Sequence, residues 1–155
     1  MKVITLTEPW ATLVVIGAKQ FETRSWQRAA QGPMLAHAAK EMPGWASETV
    51  EQSGTIQRTL CEYFKTGHID VQRKLDERGG KIIGSIRHTA CGRTEDVRDT
   101  LSPREIAFGD YGDGRFAWHL DEPHAYQTFT PVRGALGIWT LPANLEAAVL
   151  AAAAE

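Results

Sequence analysis

The chain has only two cysteines in 155 residues, Cys61 and Cys91. Neither sits in a CxxC pair or a Cys/His cluster, so the sequence offers no disulfide framework and no zinc site. His68, His88, His119 and His124 lack an HExxH spacing, and no metal or other cofactor is expected. GxxxxGK[ST] and GxSxG are both missing, which removes a Walker-type phosphate loop and a nucleophile elbow. No apolar run reaches the ~18 residues of a membrane span, and the alanine-rich stretch 147–154 is too short for one. Met1 to Leu6 is short and is interrupted by Glu8-Pro9, so it does not read as a secretory signal. The expectation is a soluble, cytoplasmic protein with no membrane contact. An excess of positive charge is lacking as well: 17 Lys and Arg stand against 19 Asp and Glu, for a net charge of −2. That argues against a broad basic face gripping long nucleic acid, but not against a local basic pocket.

What is present suits one domain with a real core. Apolar residues are 43% and charged residues 23% of the chain, as in ordinary globular domains. Val3 to Leu6 reads as a first strand. Thr7 then suits a helix N-cap, with Glu8 and Pro9 in the first turn. Trp10, Leu13 and Val14 fall on one helical face, which Gly17 is placed to end. Phe21 to Arg24 and Pro33 to Ala38 read as strands. Ser47 to Lys65 has helical spacing, weakened at Gly54, within a helical insertion over about 45–78 that Gly79-Gly80 closes. Lys81 to Ala90 is a strand with Ile82, Gly84, Ile86 and His88 on one face and Ile83, Ser85 and Arg87 on the other. Ser102 and Glu105 have capping-box spacing at the start of a short helix. Gly109 to Gly114 is a turn-rich loop. Arg115 to Leu120, Tyr126 to Pro131 and Gly134 to Leu141 complete six or seven strands, and 143–155 forms a C-terminal helix. Strands and helices do not alternate, so a doubly wound parallel sheet is disfavoured. The pattern fits an α+β fold: a small, mostly antiparallel β-barrel with peripheral helices.

Four ordered blocks carry a resemblance. Leu6-Thr7-Glu8-Pro9-Trp10-Ala11, followed by Gly17 to Trp26, resembles the opening of ASCH domains, with their QPWA-like helix start and GxKxxExR signature. Glu8 stands here where glutamine is commoner. Gly32 to Ala38 is similar to the family's next strand, Phe108 to Trp118 to its FGDYxxGRxAW segment, and Pro131 to Trp139 to its last strand. The resemblance implies a PUA-like barrel over residues 1–142 with a cleft, and RNA or nucleotide as partner. Some members hydrolyse RNA or deacylate modified cytidine. In that deacylating branch the position of Glu22 resembles one held by threonine, from which this chain departs.

The candidate residues follow from these blocks. Lys19, at a loop-to-strand junction, suits the end of a helix, a phosphate contact or a catalytic base. Glu22 and Arg24, two apart on a strand, share a face. They read as a surface ion pair, or as a base-amino acceptor and a forked phosphate ligand. Of the tryptophans, Trp26 lies in the polar run Arg24 to Arg28 and is the one expected to be exposed for stacking, while Trp10 and Trp118 read as core. Asp110, Tyr111 and Arg115 flank the glycine-rich loop. Tyr111 is a candidate acid, and Arg115 reads as a phosphate ligand or a partner of Asp110 or Asp113. His37 and Ser85 are candidate hydrogen-bonding residues. Three functions stay open: a binding module for RNA, a nucleotide or a modified nucleoside; a metal-independent hydrolase with Lys19 and Tyr111 as base and acid; and a protein-interaction domain using the insertion. Composition does not decide the oligomeric state.

Overall fold

A computed structural model describes residues 1–155. Strand β1 (Lys2–Leu6) leads into helix α1 (Trp10–Val15), then β2 (Phe21–Arg24) and β3 (Gly32–Ala38). Three helices follow, α2 (Gly44–Gln52), α3 (Gly54–Phe64) and α4 (His68–Asp76). The long strand β4 (Lys81–Arg93) precedes two short helices, α5 (Thr94–Val97) and α6 (Pro103–Ala107). Strand β5 (Phe116–Pro131), strand β6 (Ile138–Thr140) and helix α7 (Glu146–Ala153) end the chain.

The six strands form one sheet in the order β2-β5-β4-β3-β1-β6. Only β1 and β3 run parallel; every other pairing is antiparallel. The sheet curls into a half-barrel. Its curl brings β2 back toward β1 although three strands lie between them: the Arg24 guanidinium donates to the Thr5 carbonyl at 3.2 Å. The α+β expectation holds, with a side chain spanning the gap where a closed barrel would have a strand ladder.

Three apolar clusters hold the layers together. One lies under the curl, around Ile4, Val14, Ile83, Ile86 and Trp118. A second packs α7 through Val149 and Ala152 onto Val3, Ile82 and Tyr126. The third joins α2, α3 and α4 to Leu13 of α1 and to Phe108. This last cluster fixes the three-helix layer over one mouth of the half-barrel.

Several local expectations need correction. Thr7 does not cap α1. Glu8 and Pro9 form a turn ahead of the helix, and the Glu8 carboxylate instead accepts from the Thr12 N–H at 3.0 Å and the Thr12 hydroxyl at 2.8 Å. The helical run from Ser47 is two helices. Ser53 breaks it in an extended conformation and caps α3 by accepting from the Ile56 N–H, so Gly54 opens a helix and does not weaken one. Strict alternation fails in β4: Ile83 joins Ile86 in the first cluster while Ile82 faces the second. The bulge lies against β3, where Ala36 pairs with Gly84 and His37 with Ile82, so Ile83 is the extra residue that shifts the pleat by one. The segments 115–120 and 126–131 belong to one strand, with Glu122 at φ 48° absorbed as a bulge. The last strand shrinks to three residues. Gly17 behaves as expected: its φ of 74° is the left-handed conformation that glycine adopts without strain, and its N–H closes on Val14.

Candidate functional site

The turn at Gly17 sends the chain back along α1, where the Lys19 N–H bonds the Leu13 carbonyl at 2.9 Å. Lys19 is thereby only 2% exposed. Its ammonium is held by the Phe21 carbonyl and by Glu22 Oε2 at 3.4 Å. Glu22 Oε1 lies 3.0 Å from Arg24 Nε. One carboxylate thus sits between two cations on the rim strand β2.

These three side chains form one wall of a cavity of about 410 Å³. Thr5, Leu6 and Thr7 of the β1 end form its floor, and Phe108, Gly109, Asp110 and Arg115 close another side. Trp10 and Trp45 also line it, with ring centroids 5.5 Å apart and planes inclined by 31°. The Trp10 Nε1–H donates to the Phe108 carbonyl at 2.7 Å, which fixes that indole. Trp45, at the start of α2, is 59% exposed.

Arg115 donates to the Thr23 carbonyl at 3.1 Å and lies 3.4 Å from Asp110 Oδ2, so it pairs with Asp110. Asp113 pairs with Arg98 instead. The Nε atoms of Arg24 and Arg115 are buried, and neither has an aligned acceptor in the protein, although each has a carboxylate near. The ion-pair distances alone suggest satisfied groups; the angles decide otherwise. Both arginines also line the cavity, with these Nε atoms turned away from solvent.

The cavity brings together Lys19, Glu22, Arg24, Asp110 and Arg115 of the residues singled out from sequence. The other four lie elsewhere. Tyr111 is buried behind the wall, and its hydroxyl donates to Glu105 Oε1 at 3.1 Å. Burial and the Glu105 carboxylate push the phenol well above its ordinary pKa, so it holds its proton tightly. Trp26 is exposed as expected, at 40%, but it packs edge-on against Trp118 at 4.5 Å, away from the cavity. Ser85 lies in mid-strand opposite Leu35 and His124.

His37 lies at a second cavity of about 860 Å³, on the far side of β1. Its hydrogen bonds fix its tautomer. Nε2 is 3.1 Å from the Val132 carbonyl, which can only accept, so Nε2 carries the proton. Nδ1 then accepts from the Thr5 hydroxyl at 3.3 Å, and Thr5 Oγ1 accepts from Trp139 Nε1 at 3.0 Å. Burial depresses the pKa of His37 and keeps it neutral.

Three features escaped the sequence reading. Trp45 lies in a segment that resembles nothing in the family blocks. Trp10 read as core yet lines the cavity. Glu105 drew notice only as a cap. Its N–H does accept that role, donating to Ser102 Oγ, but its carboxylate leaves the capping box to accept from the N–H groups of Gln20 and Phe21 at 3.0 and 3.1 Å. Glu105 so pins the loop that carries Lys19.

Comparison with known proteins agrees with this architecture. The sequence matches the ASCH domain family over residues 4–133. Among solved structures, the crystal structure of the ASCH protein from Zymomonas mobilis is similar at a TM-score of 0.54 and 14% identity, covering 97% of this chain and 93% of that one. A tyrosine-to-phenylalanine mutant of the Zymomonas mobilis protein gives 0.54 at 13% identity, covering 97% and 96%. No curated protein matches. At this identity the likeness carries the fold alone and nothing of the chemistry.

Proposed function

Because this chain belongs to the ASCH domain family, we propose that it binds RNA or a nucleotide, holding one nucleobase in the cavity between the Trp10–Trp45 pair and the Lys19–Glu22–Arg24 wall. The observation that carries this reading is the composition of that one cavity: its lining combines an aromatic pair with charged donors and acceptors. A base offers a π-face to Trp45 and polar edges to Glu22 and Asp110, which can accept from an exocyclic amino group. Arg24 and Arg115, two cations on the lining of the cavity, suit a flanking phosphate. The net charge of −2 favours a compact ligand or a short single strand over long RNA.

Titration with cytidine and with short single-stranded RNA tests it, read through tryptophan fluorescence. Saturable binding by the intact chain, weakened in Trp45→Ala, is the expected result. Absence of binding to both ligands would overturn the reading.

One observation favours a hydrolase as second reading. Lys19 and Glu22 stand 3.4 Å apart on the cavity wall, a buried cation beside a carboxylate. Glu22 could take a proton from water or from a 2′-hydroxyl while Lys19 stabilises the developing oxyanion. Tyr111 is no partner in this scheme, since its hydroxyl serves Glu105. Turnover of short RNA and of N4-acylated cytidine with chelator present, abolished by Lys19→Ala, would establish that reading. The contact-surface role for α2 to α4 has less support, because α2 contributes Trp45 and Thr49 to the cavity.

A further inference from the structure

The second cavity differs from the first in charge. Its lining includes Lys40, Lys81 and Arg133 and no carboxylate. Nine ion pairs form in the chain, and none uses these three cations. Lys40 and Arg133 are exposed, and Lys81 anchors its ammonium on the Glu77 carbonyl at 2.6 Å. In a protein with net charge −2, three cations lining one cavity without an ion-pair partner form a local site of opposite sign. The site has a built floor. Neutral His37, held by Thr5 and Val132, lies beneath Gly134, where a Cβ would stand 2.4 Å from the imidazole Cε1.

Thr5 lines both cavities. Its carbonyl binds Arg24 on the first side and its hydroxyl binds His37 on the second. A strand leaving the first cavity across the end of β1 therefore enters the basic groove at once.

We infer that this groove is a phosphodiester-binding extension of the site, taking the backbone of a single-stranded RNA whose base occupies the first cavity. The inference rests on the base-binding reading for its register, and on the unpaired cations for its ligand class. Each cation that neutralises a phosphate adds about 0.7 to the slope of log affinity against log salt for a single strand.

The test compares the intact chain with Lys40→Gln/Lys81→Gln/Arg133→Gln, and with Arg133→Glu alone in case the triple variant folds poorly. The probes are cytidine and an oligocytidylate of roughly eight nucleotides, a length within the range of single-strand sites. Cytidine affinity should be unchanged in both variants. Oligocytidylate affinity should fall, and the salt slope of the triple variant should drop by about 2. The affinity gap between the intact chain and the triple variant then narrows by roughly 20-fold between about 50 and about 200 mM salt. Unchanged affinity and slope for the oligonucleotide, or an equal loss for cytidine, would overturn the groove. Oligonucleotide binding that depends on the groove while cytidine fails to bind would uphold it and remove the base-binding reading. Loss of oligonucleotide binding only in Trp45→Ala would do the reverse. No oligonucleotide binding by the intact chain would overturn the groove, and would remove the base-binding reading too if cytidine also fails to bind.

Discussion

Trp45 lies 5.5 Å from Trp10 across 35 positions of sequence, one indole pinned to the Phe108 carbonyl and the other exposed at the mouth of the cavity. The asymmetry matters for recognition. A fixed ring gives a wall, and an exposed ring can be covered by a ligand at little cost to the fold. Trp45→Ala should leave the unfolding midpoint nearly unchanged and weaken nucleotide binding by about 1–3 kcal/mol, the usual worth of one base–aromatic stack. Isothermal titration with the ligand that binds the intact chain measures it; unchanged affinity would place the base elsewhere.

Glu22 serves two cations at once. Removing it strands a Lys19 ammonium that is almost wholly buried and takes the counter-charge from Arg24. Glu22→Leu should therefore cost about 3 kcal/mol in denaturant unfolding, as breaking a buried pair usually does. Adding Lys19→Met should recover part of that loss, because an apolar pair of similar volume needs no counterion. Both variants should lose ligand binding. Equal or greater destabilisation in the double variant would show that Lys19 is held by the Phe21 carbonyl and not by its carboxylate.

The parts legible in sequence were those decided locally. Phe21–Arg24 forms the expected strand, and Gly17 turns the chain because only its own φ is at stake. The cluster Lys19, Glu22, Arg24 follows from those two elements, so it was readable too. Trp45 was not, since its role depends on α2 docking through the α1–Phe108 cluster, a contact no short window encodes. A gap over 121–125 separated the expected strands Arg115 to Leu120 and Tyr126 to Pro131. The pairing of β4 carries β5 through it, with Arg87 bonding Glu122 at 3.0 Å across the bulge. Trp26 looked like a stacking residue by its polar neighbours, yet Trp118 supplies a ring for it to pack against. Trp26→Ala should accordingly leave ligand affinity intact and lower stability, which thermal unfolding and a binding titration resolve together.

The His37 chain makes a prediction at low pH. Nδ1 must stay unprotonated to accept from Thr5, and burial lowers the pKa of the ring below its ordinary 6.5. The stability it contributes is complete above that value and is lost as pH falls through the lower folded value. Gly134→Ala should act on the same place. A methyl 2.4 Å from the ring must displace it, at a cost of about 1–3 kcal/mol. Unfolding curves at neutral and acidic pH should show the variant less stable at neutral pH and less sensitive to acid. A variant as stable as the parent would mean that the loop at Gly134 yields freely.

Glu8 titrates with the opposite sign. It is 2% exposed, and burial raises its pKa from 4.5 to about 7, outweighing the Thr12 hydrogen bonds and nearby Arg78; Asp76 adds to the rise. The folded chain therefore holds a proton that the unfolded chain releases. Stability is full below about pH 4.5, declines as pH rises, and has lost roughly 3 kcal/mol once the folded value is passed. Glutamine, the residue commoner at this position in ASCH domains, keeps an acceptor for the Thr12 N–H and carries no charge. Its amide can donate to the Thr12 hydroxyl. Glu8→Gln should match the parent at pH 4.5 and exceed it by a few kcal/mol at pH 8, with guanidinium midpoints at the two pH values as the measurement. A gain that is the same at both would assign the effect to packing and not to the buried charge. No gain at pH 8 would mean that Glu8 is ionised in the fold with its hydrogen bonds fully compensating its burial.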